Sequence, residues 1–115
     1  MADDLEHRQK IQRLDDQTIN GLVQHGADLN QPYPIRFLFR GDKAKLKGLE
    51  EALIKQGYTP VQNTTGSDDE LMVDLTTTLK SMQSHLIALS LYDLSKEHGV
   101  SFEGWAAVVS NGASI

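Results

Sequence analysis

The chain has no cysteine among its 115 residues. Disulfides, thiolate metal sites and thiol nucleophiles are excluded together, and a secreted domain of this size would more often be bridged, so a cytoplasmic location is expected. Long apolar runs are missing too: no stretch approaches the roughly eighteen residues of a membrane span. Met1-Ala2-Asp3-Asp4 is acidic where a signal peptide needs a basic start, and no membrane association is expected. Basic residues become scarce after position 57. Residues 1–57 hold nine basic and nine acidic side chains, whereas residues 58–115 hold two and seven, which places the whole net charge of -5 in the second half. That balance disfavours nonspecific nucleic-acid binding, which depends on neutralising phosphates.

What is present is ordinary for a globular chain: 39% hydrophobic and 23% charged residues, enough for one domain spanning residues 1–115. From about residue 4 to 25, Leu5, Ile11, Leu14, Thr18, Leu22 and Val23 recur at mostly helical spacing before Gly26, predicting an N-terminal helix. Tyr33, Ile35, Phe37 and Phe39 alternate with Pro34, Arg36, Leu38 and Arg40, the period of a strand with one apolar face. Asp42 is placed to cap a second helix running to Gln56, with Leu46, Leu49, Leu53 and Ile54 as its buried stripe and Gly57 as its stop.

Tyr58 to Gln62 reads as a short strand, and Pro60 assigns it to a sheet edge because proline cannot donate to the ladder. The turn-rich run Asn63 to Glu70 then joins it to a third strand, Leu71 to Leu79, as a hairpin. Ser81 is the expected cap of one continuous helix reaching His98, with Met82, Leu86, Leu89 and Leu94 in the core, and Val100 to Val109 is the last strand. Strict alternation there would put Phe102, Ala106 and Val108 on one face and Trp105, Ala107 and Val109 on the other. Both faces would then be apolar, so the N-terminal helix is expected to cover the second one. The order βαββαβ over about residues 33–109, with right-handed crossovers, specifies an α+β fold of the ferredoxin-like split βαβ kind: a four-stranded antiparallel sheet with an extra N-terminal helix.

Chemistry is sparse. His25 and His98 precede helix-ending glycines, where a cation meets the helix C-terminus, and His7 and His85 stand alone on predicted helices. No histidine pair has metal-helix spacing and no nucleophile elbow is present, so neither a cofactor nor an enzymatic activity is expected. Asp15-Asp16 reads as a solvated helix face, and Asp68-Asp69-Glu70 as an acidic turn without the spacing of a calcium loop. Arg36, Arg40, Lys43, Lys45 and Lys47 cluster where the second helix begins, making Arg40, Lys43 and Lys45 candidates for anion binding. An RNA-recognition module would stack bases on aromatics of the third strand, which has none, so no direct nucleic-acid contact is expected.

Three segments, in order along the chain, carry a resemblance: Leu22-Val23-Gln24-His25-Gly26-Ala27-Asp28-Leu29, Ala52-Leu53-Ile54-Lys55-Gln56-Gly57-Tyr58 and Val100-Ser101-Phe102-Glu103-Gly104-Trp105. Together they resemble the regulator of ribonuclease E activity B (RraB) family, whose most specific feature is an aromatic, an acidic residue and then Gly-Trp. The resemblance implies the ferredoxin-like fold and a non-catalytic protein inhibitor that binds the bacterial endoribonuclease E outside its catalytic centre. The best-known members end in a long acidic tail, whereas this chain stops at Ile115. Candidate partner contacts are Glu103 and Trp105 in the last strand and Asp68, Asp69 and Glu70 in the acidic turn, facing ribonuclease E or a similar basic scaffold segment. Packing is the competing reading for Trp105, since a lone tryptophan is commonly a core residue. The alternative function is a small-molecule or anion-sensing regulatory domain of the same fold.

Overall fold

A computed structural model describes residues 2–61 and 69–107, with the backbone alone for residues 2–4. Its elements are α1 (Ala2–Gln24), β1 (Pro32–Arg40), α2 (Lys43–Lys55), β2 (Thr59–Val61), β3 (Glu70–Thr78), α3 (Leu79–Met82), α4 (Leu86–Glu97) and β4 (Ser101–Ala107). The four strands form one antiparallel sheet in the order β2-β3-β1-β4, the ferredoxin-like arrangement expected from the element order. The short β2 is an edge, as Pro60 requires, and pairs with β3 from Thr59 opposite Asp74 to Val61 opposite Met72. Gln62, the turn residues 63–68 and Val108 and Val109 lie outside the described residues.

The apolar face of β1 makes the centre of the core. Ile35, Phe37 and Phe39 are fully buried, and register sets them beside Leu75, Val73 and Leu71 of β3. Their alternates, Arg36, Leu38 and Arg40, point to the opposite face. α2 begins where Asp42 Oδ2 accepts from the backbone N–H of Ala44 (3.1 Å) and Lys45 (3.4 Å). It ends at Gly57, whose φ of +99° lets the Tyr58 N–H reach back to the Leu53 carbonyl at 3.0 Å. Leu46, Leu49 and Leu53 bury as expected, but Ile54 is 50% exposed because the stripe turns away from the sheet at the last helical turn.

Three further expectations are corrected by the structure. The single helix from Ser81 to His98 is two. Thr78, not Ser81, caps the first piece, with its Oγ1 accepting from the Ser81 N–H at 3.1 Å. Leu79, expected at the end of the strand, and Met82 bury completely from this four-residue turn. Leu86 could not follow them into the core on one straight axis, and it is 71% exposed. The break falls at His85, a non-glycine residue in the left-handed region (φ +65°, ψ -1°) that sits at the start of α4 without capping it through its side chain.

β4 is the second correction. Phe39 pairs with Phe102, Leu38 with Gly104 and Phe37 with Trp105, so one extra residue, Glu103, is accommodated as a bulge with Gly104 at φ +128°. The bulge inverts the simple alternation. Phe102 and Trp105 therefore share the helix-covered face, where the Phe102 ring lies 5.3 Å from that of Phe39 and 6.4 Å from that of Phe37.

The third correction concerns α1, which does not cover the second face of the sheet. It lies beside α4 on the same side as the other helices, touching α3, α4 and β4. Ile19, 2% exposed, is its main contribution to the core, whereas Leu5, Leu14 and Val23 are exposed. The opposite face carries cross-strand ion pairs instead: Arg36 donates to both oxygens of Asp74 (2.9 and 3.1 Å), and Arg40 pairs with Glu70.

Candidate protein interface

α1 is tied to the rest of the chain by a buried carboxylate. Asp15, 1% exposed, accepts from the Trp105 indole N–H at 2.7 Å through Oδ1, and its Oδ2 meets His85 Nδ1 at 3.0 Å. His85 Nε2 in turn lies 3.4 Å from Asp16 Oδ1. The expected solvated pair is thus split: Asp16 remains outside, and Asp15 enters the seam between α1, β4 and the α3–α4 junction. Burial pushes the Asp15 carboxyl above the ordinary range, opposed by the hydrogen bonds from His85 and Trp105 and by the nearby imidazole. The left-handed turn at His85 places its ring at the carboxylate, so backbone strain is spent on this contact. A second tie, Arg8 to Asp93 at 2.6 Å, joins the outer part of α1 to α4.

Above this seam the chain leaves a groove of about 650 Å³. α1 forms one wall with Lys10, Ile11 and Leu14; Tyr92 and Lys96 of α4 contribute to its lining; and Val100 through Trp105, without a gap, form the other side. Ser101 to Trp105 line it consecutively, and even outside the bulge at Glu103 and Gly104 both alternating sets take part, so the groove reaches the strand's edge rather than one face alone. β1 occupies one edge of β4, so the groove follows the other, where among the described residues no strand pairs.

Trp105 packs against the core and also borders the groove. Its indole N–H is satisfied by Asp15, and its side chain is half-buried. Glu103, exposed on the bulge, accepts from the Ser101 hydroxyl and stands near Arg40. Arg40 is surrounded by acids: the hydrogen bond and charge of Glu70 hold its guanidinium above its ordinary pKa, with Glu103 and Asp69 adding to the effect. Two candidate sets that sequence spacing kept apart, the acids Asp69, Glu70 and Glu103 and the base Arg40, therefore meet at one corner of the sheet. Asp68 lies outside the described residues.

The anion candidates do not converge in the same way. Arg40 is engaged with Glu70, Lys45 lies along Gly99, and the Asp42 carboxylate already takes the first N–H groups of α2. Lys43 stands beside this cap at the first position of the helix. Among the described residues no group of three or more His, Asp or Glu is placed to hold a metal ion, and no helix is long and apolar enough to cross a membrane.

The Asp15–His85–Trp105 seam was not legible in the sequence because Asp15 lies 70 positions from His85 and 90 from Trp105. The one local signal was Asp15 standing four residues from both Ile11 and Ile19 on the face that packs. The family described as "Regulator of ribonuclease activity B" matches residues 12–106, which include the Asp15–Trp105 seam and all of β1 through α4. No curated protein matches the chain.

Proposed function

This chain belongs to the regulator of ribonuclease activity B family, and from that premise we propose that it is a non-catalytic, cytoplasmic, protein-binding regulator that inhibits an endoribonuclease of the ribonuclease E type. The observation carrying the reading is the family match over residues 12–106. The geometry fits a binding role: the buried polar groups of the seam are satisfied by one another and hold α1 in place, while the acidic corner at Asp69, Glu70 and Glu103 outweighs Arg40 and suits a basic stretch of the partner. Regulation then follows from occupancy: a bound protein alters access to the ribonuclease or to its assembly partners without any chemistry on RNA.

The test is a pull-down of purified ribonuclease E, intact and without its noncatalytic region, on the immobilised chain, followed by an RNA cleavage assay. Binding to the intact enzyme and slowed cleavage are expected. Neither form binding, with cleavage unchanged at saturating concentrations of the chain, would defeat the reading.

A further inference from the structure

The groove and the edge beside it have a more specific use than a generic contact. β4 offers seven residues of strand, about 23 Å at the usual rise, with outward main-chain groups that no described strand takes up. An open strand of this length is a template for another strand. α1 stands alongside it as a wall, with Leu14 46% exposed and Ile11 half-buried, and Trp105 supplies the apolar surface at its foot.

Resting on the reading above, we propose that the groove between α1 and the free edge of β4 receives an extended segment of the ribonuclease, which adds to the sheet as a fifth strand. The two sides of the edge specify its chemistry. On the helix side the segment meets Leu14, Ile11 and Trp105, with Lys10 and Lys96 nearby, so residues pointing there are apolar with a carboxylate beside the lysines. On the open side it meets Glu103 of β4, with Arg40 and Glu70 one and two strands further in, so the intervening residues include a base. A strand presents alternate residues to opposite sides, and one segment satisfies both demands by simple alternation. A second copy of this chain is a poorer occupant. Pairing two β4 edges about a two-fold axis would bring both α1 walls to the same side of the seam, facing each other across it.

The test measures affinity for purified ribonuclease E by the intact chain, by Leu14→Asp and by Lys10→Glu, with amide hydrogen exchange on the complex and light scattering on the free chain. Both substituted side chains are exposed, so the variants keep the circular dichroism of the parent. Each is expected to weaken binding by about tenfold or more, and exchange across residues 101–107 should slow in the complex. Parental affinity in both variants, or binding without protection of residues 101–107, overturns the fifth-strand proposal while leaving the regulatory reading standing. A free chain that is dimeric, with residues 101–107 already protected, also overturns it by assigning the edge to a second copy. If the parent chain itself fails to bind ribonuclease E, both readings fall.

Discussion

The two ends of the sheet are built differently. Among the described residues the edge strand at the β2 end spans three positions and carries Pro60, and α2 is held over it by an all-apolar stripe of Leu46, Leu49 and Leu53. At the β4 end the described edge strand spans seven positions without a proline, and α1 is held beside it by a carboxylate, an imidazole and an indole. A short edge with proline resists pairing, whereas a long open one invites it. Apolar packing alone suits a scaffold. A buried polar seam fixes one orientation of α1 against β4, which is what a groove of defined width needs.

The two ends should therefore fail differently when cut. Leu49→Ala removes a fully buried side chain from the β2-end scaffold and should cost about 2–5 kcal/mol of global stability, read as a lowered denaturation midpoint with an unchanged slope. Asp15→Ala leaves the Trp105 N–H without its acceptor in a buried site and His85 with Asp16 alone. Its expected cost is smaller, about 1–3 kcal/mol. Hydrogen exchange should show early loosening of α1 and β4, with α2 and β2 retaining parental protection; uniform loosening would erase the distinction between the ends.

The smallest effect separates the ends by pH. Because burial raises the Asp15 carboxyl, the folded chain holds that proton more tightly than the unfolded chain does. This group's contribution therefore favours the fold at low pH and is lost as pH rises from the unfolded value through the raised folded one. Asp15→Asn, which keeps an acceptor for the Trp105 N–H, should flatten the stability profile in that window. Leu49→Ala should shift the whole profile down without changing its shape. Profiles of the same shape in parent and Asp15→Asn would refute the assignment of this pH dependence to the seam.

Much of the fold was legible because its signals are local. The Tyr33 to Phe39 alternation, the Asp42 cap and the glycine after α2 each depend on residues within a few positions, and together they yield the βαββαβ order. The inversion in β4 was not legible. Phe102 and Trp105, three apart, belong to opposite faces in any regular strand, and only the bulge at Glu103 and Gly104 brings them together; the glycine beside the tryptophan hinted at a bend without locating it. The break at His85 involves neither glycine nor proline. Its left-handed turn is supported by Asp15 from a distant helix, so no local pattern could announce it. Of the candidate site, Trp105 and Glu103 were legible through the resemblance, whereas the wall opposite them needed the placement of α1.

Two exposed aliphatic residues offer a matched comparison of the ends: Leu14, 46% exposed in the groove wall, and Ile54, 50% exposed on α2. Each is replaced by Asp, and each variant is titrated into a ribonuclease E cleavage assay beside the parent chain. The parent and Ile54→Asp should slow RNA cleavage alike, while Leu14→Asp should need about tenfold more protein for the same effect. Full inhibition by Leu14→Asp with loss of inhibition by Ile54→Asp would instead place the interface at the other end of the sheet.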